Sequence, residues 1–165
     1  MKEIRESEAL SFVTEQIPKG AFLTVQAGKE KNVMTIGWAL FGFVWRRSTM
    51  MVAVRNTRFT YGIIEKSVLF SVSVSTGPME KEIEFCGSKS GRKFDKFKEC
   101  KFTTVPGAKT QAPILDIPGY HYECRIIYKT PIDPQFLAQE VISIYPQKDF
   151  HTLYFGEILG CYRRE

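Results

Sequence analysis

The chain has 165 residues, 44% of them hydrophobic and 25% charged. That length amounts to one domain, and the composition is globular, which excludes disordered, collagen-like and disulfide-scaffold classes. Twenty-three basic residues against eighteen acidic ones leave a net charge of +5, and the excess is local. Trp45 to Arg58 carries +4, Gly87 to Lys101 carries another +4, and the remainder stands at −3. Two compact cationic segments suit a small anion such as a phosphate better than a generally basic nucleic-acid coat, while a local groove for a nucleic-acid backbone stays open.

The longest uncharged stretch, Asn32 to Trp45, is fourteen residues, short of the roughly twenty that a membrane-spanning helix needs. Lys2, Glu3, Arg5, Glu6 and Glu8 precede any apolar run, unlike a secretory signal, so a cytoplasmic protein without membrane contact is expected. Cys86, Cys100, Cys124 and Cys161 are separated by 14, 24 and 37 positions. No Cys-x-x-Cys pair is available for zinc or for thioredoxin-like chemistry, and reduced structural thiols are the expectation. With only His121 and His151 besides, no metal site is expected.

In chain order, Ser7 is placed to cap a short helix with apolar positions Leu10, Val13 and Ile17, ended by Pro18 and Gly20. Ala21 to Ala27 reads as a strand, Gly28 to Asn32 as a hairpin turn, and Val33 to Val44 as a second, glycine-containing strand. Met50 to Val54 is a further apolar run, after which Asn56 or Thr57 caps a helix reaching Glu65. Val68 to Ser75 alternates as a half-buried strand does. Pro78 introduces a helix with Glu80, Glu82 and Glu84 near its positive end and Gly87 as its stop. Gly87 to Gly91 reads as a loop, Lys93 to Cys100 as a short helix with Phe94 and Phe97 inward, and Pro106 to Pro118 as loop-rich. Tyr120 to Tyr128, Val141 to Tyr145 and Thr152 to Cys161 complete the strands. Six or more strands with short helices argue a β-barrel decorated by helices.

Three segments carry candidate chemistry. Asn32-Val33-Met34-Thr35-Ile36-Gly37-Trp38 combines a strand with a glycine, small polar groups and an aromatic, which lets main chain approach a flat heterocycle; a glycine bulge in a core strand gives the same composition. Arg55-Asn56-Thr57-Arg58-Phe59-Thr60 sets two guanidiniums and two hydroxyls at a helix start, suited to an anion or equally to a solvated cap. Gly87-Ser88-Lys89-Ser90-Gly91-Arg92 lacks the spacing of a nucleotide-hydrolase phosphate loop and reads as an anion cradle or a polar turn. His151 stands where a strand start would turn an imidazole toward a site or bury it as an ordinary core residue. No Ser-His-Asp order or carboxylate pair stands out.

Taken in order, these segments resemble the flavin reductase-like family of FMN-binding split barrels, particularly its flavoredoxin branch. The first resembles the family's Asn-x-Met-Thr-x-x-Trp strand and the second its Arg-x-Ser/Thr-Arg-x-Thr segment. Cys86-Gly87-Ser88 through Ser90-Gly91-Arg92 to Asp95-Lys96-Phe97 is similar to its Cys-Gly…Ser-Gly-Arg-x-x-Asp-Lys run, and His151-Thr152 with Gly156-Glu157-Ile158 to its C-terminal strand. Arg46-Arg47-Ser48 departs from the proline-containing turn of many flavin reductases of this fold.

The resemblance implies a single mainly-β domain over residues 1–165, a split β-barrel with short helices, that pairs as a homodimer and holds FMN without a covalent bond. It implies that Met34, Thr35, Ile36, Gly37 and Trp38 line the isoalloxazine, with Thr35 among the donors at its polar edge. Arg55, Asn56, Arg58 and Thr60 would engage the phosphate or ribityl chain; Gly87, Ser88, Ser90, Gly91 and Lys96 would close the site; His151 would lie near the ring. No catalytic side chain is then needed, because the flavin carries the redox chemistry. The implied activity is an NADH- or NADPH-dependent flavin reductase, with a flavoredoxin-type carrier reduced by a protein or thiol donor as the alternative. A basic barrel for single-stranded nucleic acid is a third class, motivated by a pI near 9.0 and 13% aromatic residues. Against it, the bases sit beside glycines and hydroxyls more than between aromatics.

Overall fold

The computed structural model describes all of residues 1–165. In chain order the elements are β1 (Lys2–Glu3), α1 (Glu6–Gln16), β2 (Ala21–Ala27), β3 (Glu30–Ile36), β4 (Ala39–Val44), β5 (Arg47–Arg55) and α2 (Phe59–Ile64). There follow β6 (Leu69–Ser75), α3 (Glu80–Ser88), α4 (Lys96–Glu99), β7 (Thr104–Pro106), β8 (Pro113–Leu115), β9 (Gly119–Pro131), α5 (Gln139–Ile142) and β10 (His151–Arg164). Eight strands form one antiparallel sheet in the order β3-β2-β6-β9-β10-β5-β4, with β1 added to the end of β10. β7 and β8 make a separate hairpin.

The sheet is not a closed barrel. β3 and β4 are its two edges, although only Gly37 and Trp38 separate them in sequence. The expected single strand from Val33 to Val44 is therefore two strands that the chain carries across an open seam.

Alternation decides which side chains go inward. On β2, Ala21, Leu23 and Val25 enter a central core with Val52, Val54, Phe70, Val72, Val74, Tyr122 and Tyr154, closed by Ala9, Val13 and Ile17 of the α1 region. Phe22, on the opposite face, joins Val33, Cys86, Phe102, Leu115 and Ile117 in a second cluster beneath α3 and β8. β2 is thus buried on both sides from Ala21 to Val25, which is why its apolar residues do not simply alternate with polar ones. β10 pairs with β9 along almost its whole length and with β5 over its first half. Register shifts follow Phe155 and Ile158. A Cβ at Gly156 would lie 2.5 Å from the Phe70 ring, so the bulge keeps the strand tight against the core.

Several boundaries differ from the sequence expectation, each for a local reason. α1 begins two residues earlier, with Arg5 N donating to the Glu8 carboxylate at 3.0 Å, so Ser7 is inside the helix. Glu30 to Asn32 belong to β3 because Gly28, at φ 58°, lets the hairpin close in two residues. Arg58, rather than Asn56 or Thr57, precedes α2. Gly87 does not stop α3, which runs on through Ser88. The Lys93–Cys100 helix shrinks to Lys96–Glu99, capped by Asp95, whose carboxylate accepts from Phe97 N and Lys98 N; Phe94 is exposed. The Pro106–Pro118 stretch contains β8, and Val141 to Tyr145, expected as a strand, is the end of α5 and a turn. The β4–β5 hairpin turns on Trp45 and Arg46, both left-handed at φ 51° and 60°. That is the conformation of a two-residue primed turn, normally filled by Asn-Gly.

Candidate functional site

Two adjoining pockets lie along the seam and share Met34 and Arg58. The first, about 210 Å³, sits between the start of α2, the end of α3 and the loop before α4. Among the expected residues, Arg58, Thr60, Gly87, Ser88, Ser90, Gly91 and Lys96 line it. The second, about 180 Å³, takes Thr35, Ile36, Gly37 and Trp38 from the seam crossing, Arg55 from the end of β5 and His151 from the start of β10. Strand pairing explains the last two, since His151 is the register partner of Arg55. Asn56 lines neither pocket: it is exposed in the turn before α2.

The first pocket gathers unpaired positive charge. Lys96 is only 4% exposed, and its Nζ donates to the carbonyl oxygen of Cys86 at 2.6 Å without a carboxylate partner. Burial pulls its pKa down, so the ammonium is held at an energetic cost that a bound anion would offset. Arg58 Nη1 donates to the carbonyl of Gly87 at 3.2 Å and likewise has no carboxylate partner. None of the six bases from Gly87 to Lys101 enters an ion pair, whereas in the other cationic segment Arg47 pairs with Glu157 and Arg55 with Asp149. The uncompensated charge therefore collects at the loop before α4.

Packing fixes that loop. Asn32 Nδ2 donates to Thr60 Oγ1 at 2.8 Å, tying β3 to α2. A Cβ at Gly91 would strike the Phe59 ring and lie 2.6 Å from Asn32 Oδ1. Arg92 Nη1 donates to the carbonyl of Thr57 at 3.2 Å, and its guanidinium lies over Phe59. Beside it, a wider groove exposes Lys29, Lys31, Lys93 and Phe94.

The second pocket is flatter and less charged. Trp38 and His151 pack with ring centroids 4.6 Å apart, and His151 Nδ1 is 2.8 Å from Tyr145 Oη. Burial first, and then the Arg55 guanidinium, pushes the His151 pKa down to about 4, so the imidazole is neutral at pH 7. Thr35 Oγ1 donates to the carbonyl of Ile83 at 2.6 Å, fastening β3 to α3. Its only hydroxyl proton is thus spent, which corrects the expectation that this hydroxyl donates to a ligand.

Asn32, Ala53, Thr57, Phe59, Cys86, Lys89 and Arg92 also line the two pockets and were not among the assigned residues. Asn32, Thr57, Phe59, Cys86, Lys89 and Arg92 lie inside the motif segments, where the sequence carries a signal; Ala53 enters through β5 alone, and nothing local marks it.

A family profile described as the flavin reductase like domain matches residues 16–165. An uncharacterized protein of Archaeoglobus fulgidus is 27% identical over 153 residues, covering 93% of this chain and 77% of that protein. Among solved structures, the flavoredoxin of Methanosarcina acetivorans superposes with a TM-score of 0.70 at 23% identity, over 88% of this chain and 68% of its own. The NADH:FAD oxidoreductase of Streptomyces globisporus C-1027 gives 0.67 at 17%, over 99% and 88%. These structures share the fold, and with the profile spanning nearly the whole sequence, the chain belongs to the flavin reductase-like domain family.

Proposed function

We propose that the seam holds one FMN without a covalent bond and that the protein is a flavin-dependent oxidoreductase, reduced by NADH or NADPH. The observation that carries this reading is the junction of two unlike pockets at Met34 and Arg58, one rich in unpaired cations and the other walled by main chain and flat rings. A ligand with a phosphate at one end and a heterocycle at the other suits both. Arg58, Lys96 and the Ser88–Ser90 loop hold the phosphate, and Ile36 to Trp38 lie along the heterocycle. Bound FMN supplies hydride acceptance and release of electrons singly or in pairs. The neutral His151 borders the ring pocket without adding charge, and Arg55, neutralised by Asp149, adds little net field. The phosphate-side cations favour an anionic ligand most strongly, and by extension an anionic reduced one.

Two copies pair through the β4 edge, where Leu40 (63% exposed) and Val44 stand on one face, Phe43 (74% exposed) stands on the other, and Trp45 is exposed in the turn. No helix is long and apolar enough to cross a membrane, and a cytoplasmic setting is part of the same proposal.

The test is an absorption spectrum of purified protein after FMN addition, followed by anaerobic NADH and NADPH. A bound-flavin band that bleaches with either dinucleotide supports the reductase. A band that neither bleaches assigns the flavoredoxin-type carrier instead, and no binding overturns the cofactor reading.

A further inference from the structure

Cys86 and Cys100 face each other with their Sγ atoms 3.8 Å apart. Cys86 is buried in the last turn of α3 and lines the anion pocket; Cys100, directly after α4, is half-buried. The chain between them is the loop that carries Ser90, Gly91 and Lys96 to the pocket. We propose that this pair is a reversible oxidation site, converted by hydrogen peroxide into an intramolecular disulfide that clamps the anion-binding loop. The oxidation stands on the sulfur geometry alone; its consequence for FMN rests on the function proposed above.

The reaction has two steps. The more accessible Cys100 sulfur attacks peroxide: an S–O bond forms, the O–O bond breaks, and water leaves a sulfenic acid. The Cys86 sulfur then attacks that sulfur: the S–S bond forms, the S–O bond breaks, and a second water leaves. In sum two thiols lose two electrons and two protons, and one peroxide becomes two waters. Added dithiol reverses the change by thiol–disulfide exchange. Burial pushes the Cys86 thiol up to about 12 and raises Cys100 as well, so both are protonated at neutral pH and the pair responds slowly. Cys124 and Cys161 are also buried and serve as internal controls.

The clamp reaches the site through main chain. The carbonyl of Cys86 accepts from Lys96, and that of the next residue, Gly87, accepts from Arg58. Joining Cys86 to Cys100 restrains the turn that positions both cations, and a preorganised loop releases its ligand more slowly.

The experiment treats purified full-length protein with peroxide, digests it without reduction, and maps cross-linked peptides by mass. A peptide pair joined through Cys86 and Cys100, about 2 Da lighter than its two thiols, is expected, absent from Cys100→Ser and lost on dithiol treatment. FMN dissociation from the oxidised protein should be at least about threefold slower than from the reduced form, and unchanged by peroxide in Cys100→Ser. Over-oxidation of Cys100 without a cross-link, or a cross-link through Cys124 or Cys161, overturns the oxidation site. A correct cross-link with unaltered FMN dissociation overturns the clamp. Failure of the reduced protein to bind FMN counts against the cofactor reading and leaves the mapped disulfide standing.

Discussion

Arg55 and Asp149 meet through a single guanidinium nitrogen, Nη1, which is 2.7 Å from one carboxylate oxygen and 2.8 Å from the other. The pair ties the end of β5 to the segment before β10, and Arg55 also lies 5.2 Å from the centre of the Tyr145 ring. Arg55 therefore shapes the ring-side pocket more than it charges it. We predict that Arg55→Ala weakens FMN binding about tenfold, roughly 1.4 kcal/mol. Arg164→Ala, which breaks a distant pair with Asp116, should leave the affinity within about twofold. Titration by flavin fluorescence quenching measures both, and equal losses would contradict the assignment.

Lys96 gives a prediction with opposite signs. A buried ammonium without a carboxylate partner destabilises the ligand-free fold, so Lys96→Met should raise urea stability by about 1 kcal/mol. The same variant should lose FMN affinity at least about tenfold. Urea melts beside binding titrations decide it: a variant less stable and equally able to bind would show that Lys96 is structural.

Gly91→Val should abolish tight binding, because the new side chain meets Phe59 and Asn32 and displaces the loop. Gly62→Ala, at a helix position with nothing within 4 Å, is the control and should bind as the parent does. Calorimetric titration of the two variants with FMN provides the comparison.

The β4–β5 turn is an accessible route to higher stability. Arg46 sits at φ 60°, a conformation that costs a residue with a Cβ roughly 1 kcal/mol. Arg46→Gly removes that cost, and a rise in Tm of about 2–4 °C is expected. A lower Tm in scanning calorimetry would show that the Arg46 side chain contributes more than its backbone costs.

Acid should weaken the fold before the carboxylates titrate. His121 is fully buried, with its ring nitrogens 2.9 Å from Ser73 Oγ and 3.0 Å from the Ile117 carbonyl oxygen, and burial pushes its pKa down to about 4. The unfolded chain takes up a proton near pH 6.5 and the folded one does not, so stability is full above 6.5 and falls toward pH 4. The loss from His121 is about 2 kcal/mol at pH 5, and His151, shifted the same way, adds to it. Urea unfolding at pH 7 and pH 5 reads the difference; a flat profile would mean that His121 protonates within the fold.

What the sequence made legible follows the range of the interactions involved. β2 and β6 were visible because alternation and apolar runs are local, and the Lys96 and Gly91 region was visible because cations and glycines cluster within a few residues. The split of Val33–Val44 was not, because it depends on β4 pairing with β5 and leaving β3, a choice made across the whole sheet. Val141 and Ile142 are apolar enough for a strand, yet they pair with no strand of the sheet and the local chain turns helical. The Arg55–Asp149 pair spans 94 positions, and the ring-side role of Ala53 comes only from the neighbouring strand. Thr35 lines the ring-side pocket, but the partner of its hydroxyl, Ile83, lies on a helix 48 positions away, beyond the reach of local pattern.

Gly37 and Trp38 connect the two edges of the sheet. From Ile36 to Ala39 there are three Cα steps, so the seam at that point cannot exceed roughly 11 Å whatever the side chains do. Covalent geometry thus sets an upper limit on the slot at that point: substitutions along its walls change what fits and how firmly, while the limit stays the same unless residues are inserted between β3 and β4. A one-residue insertion there would raise that limit by one Cα step, and it would do so within the wall that Gly37 and Trp38 form.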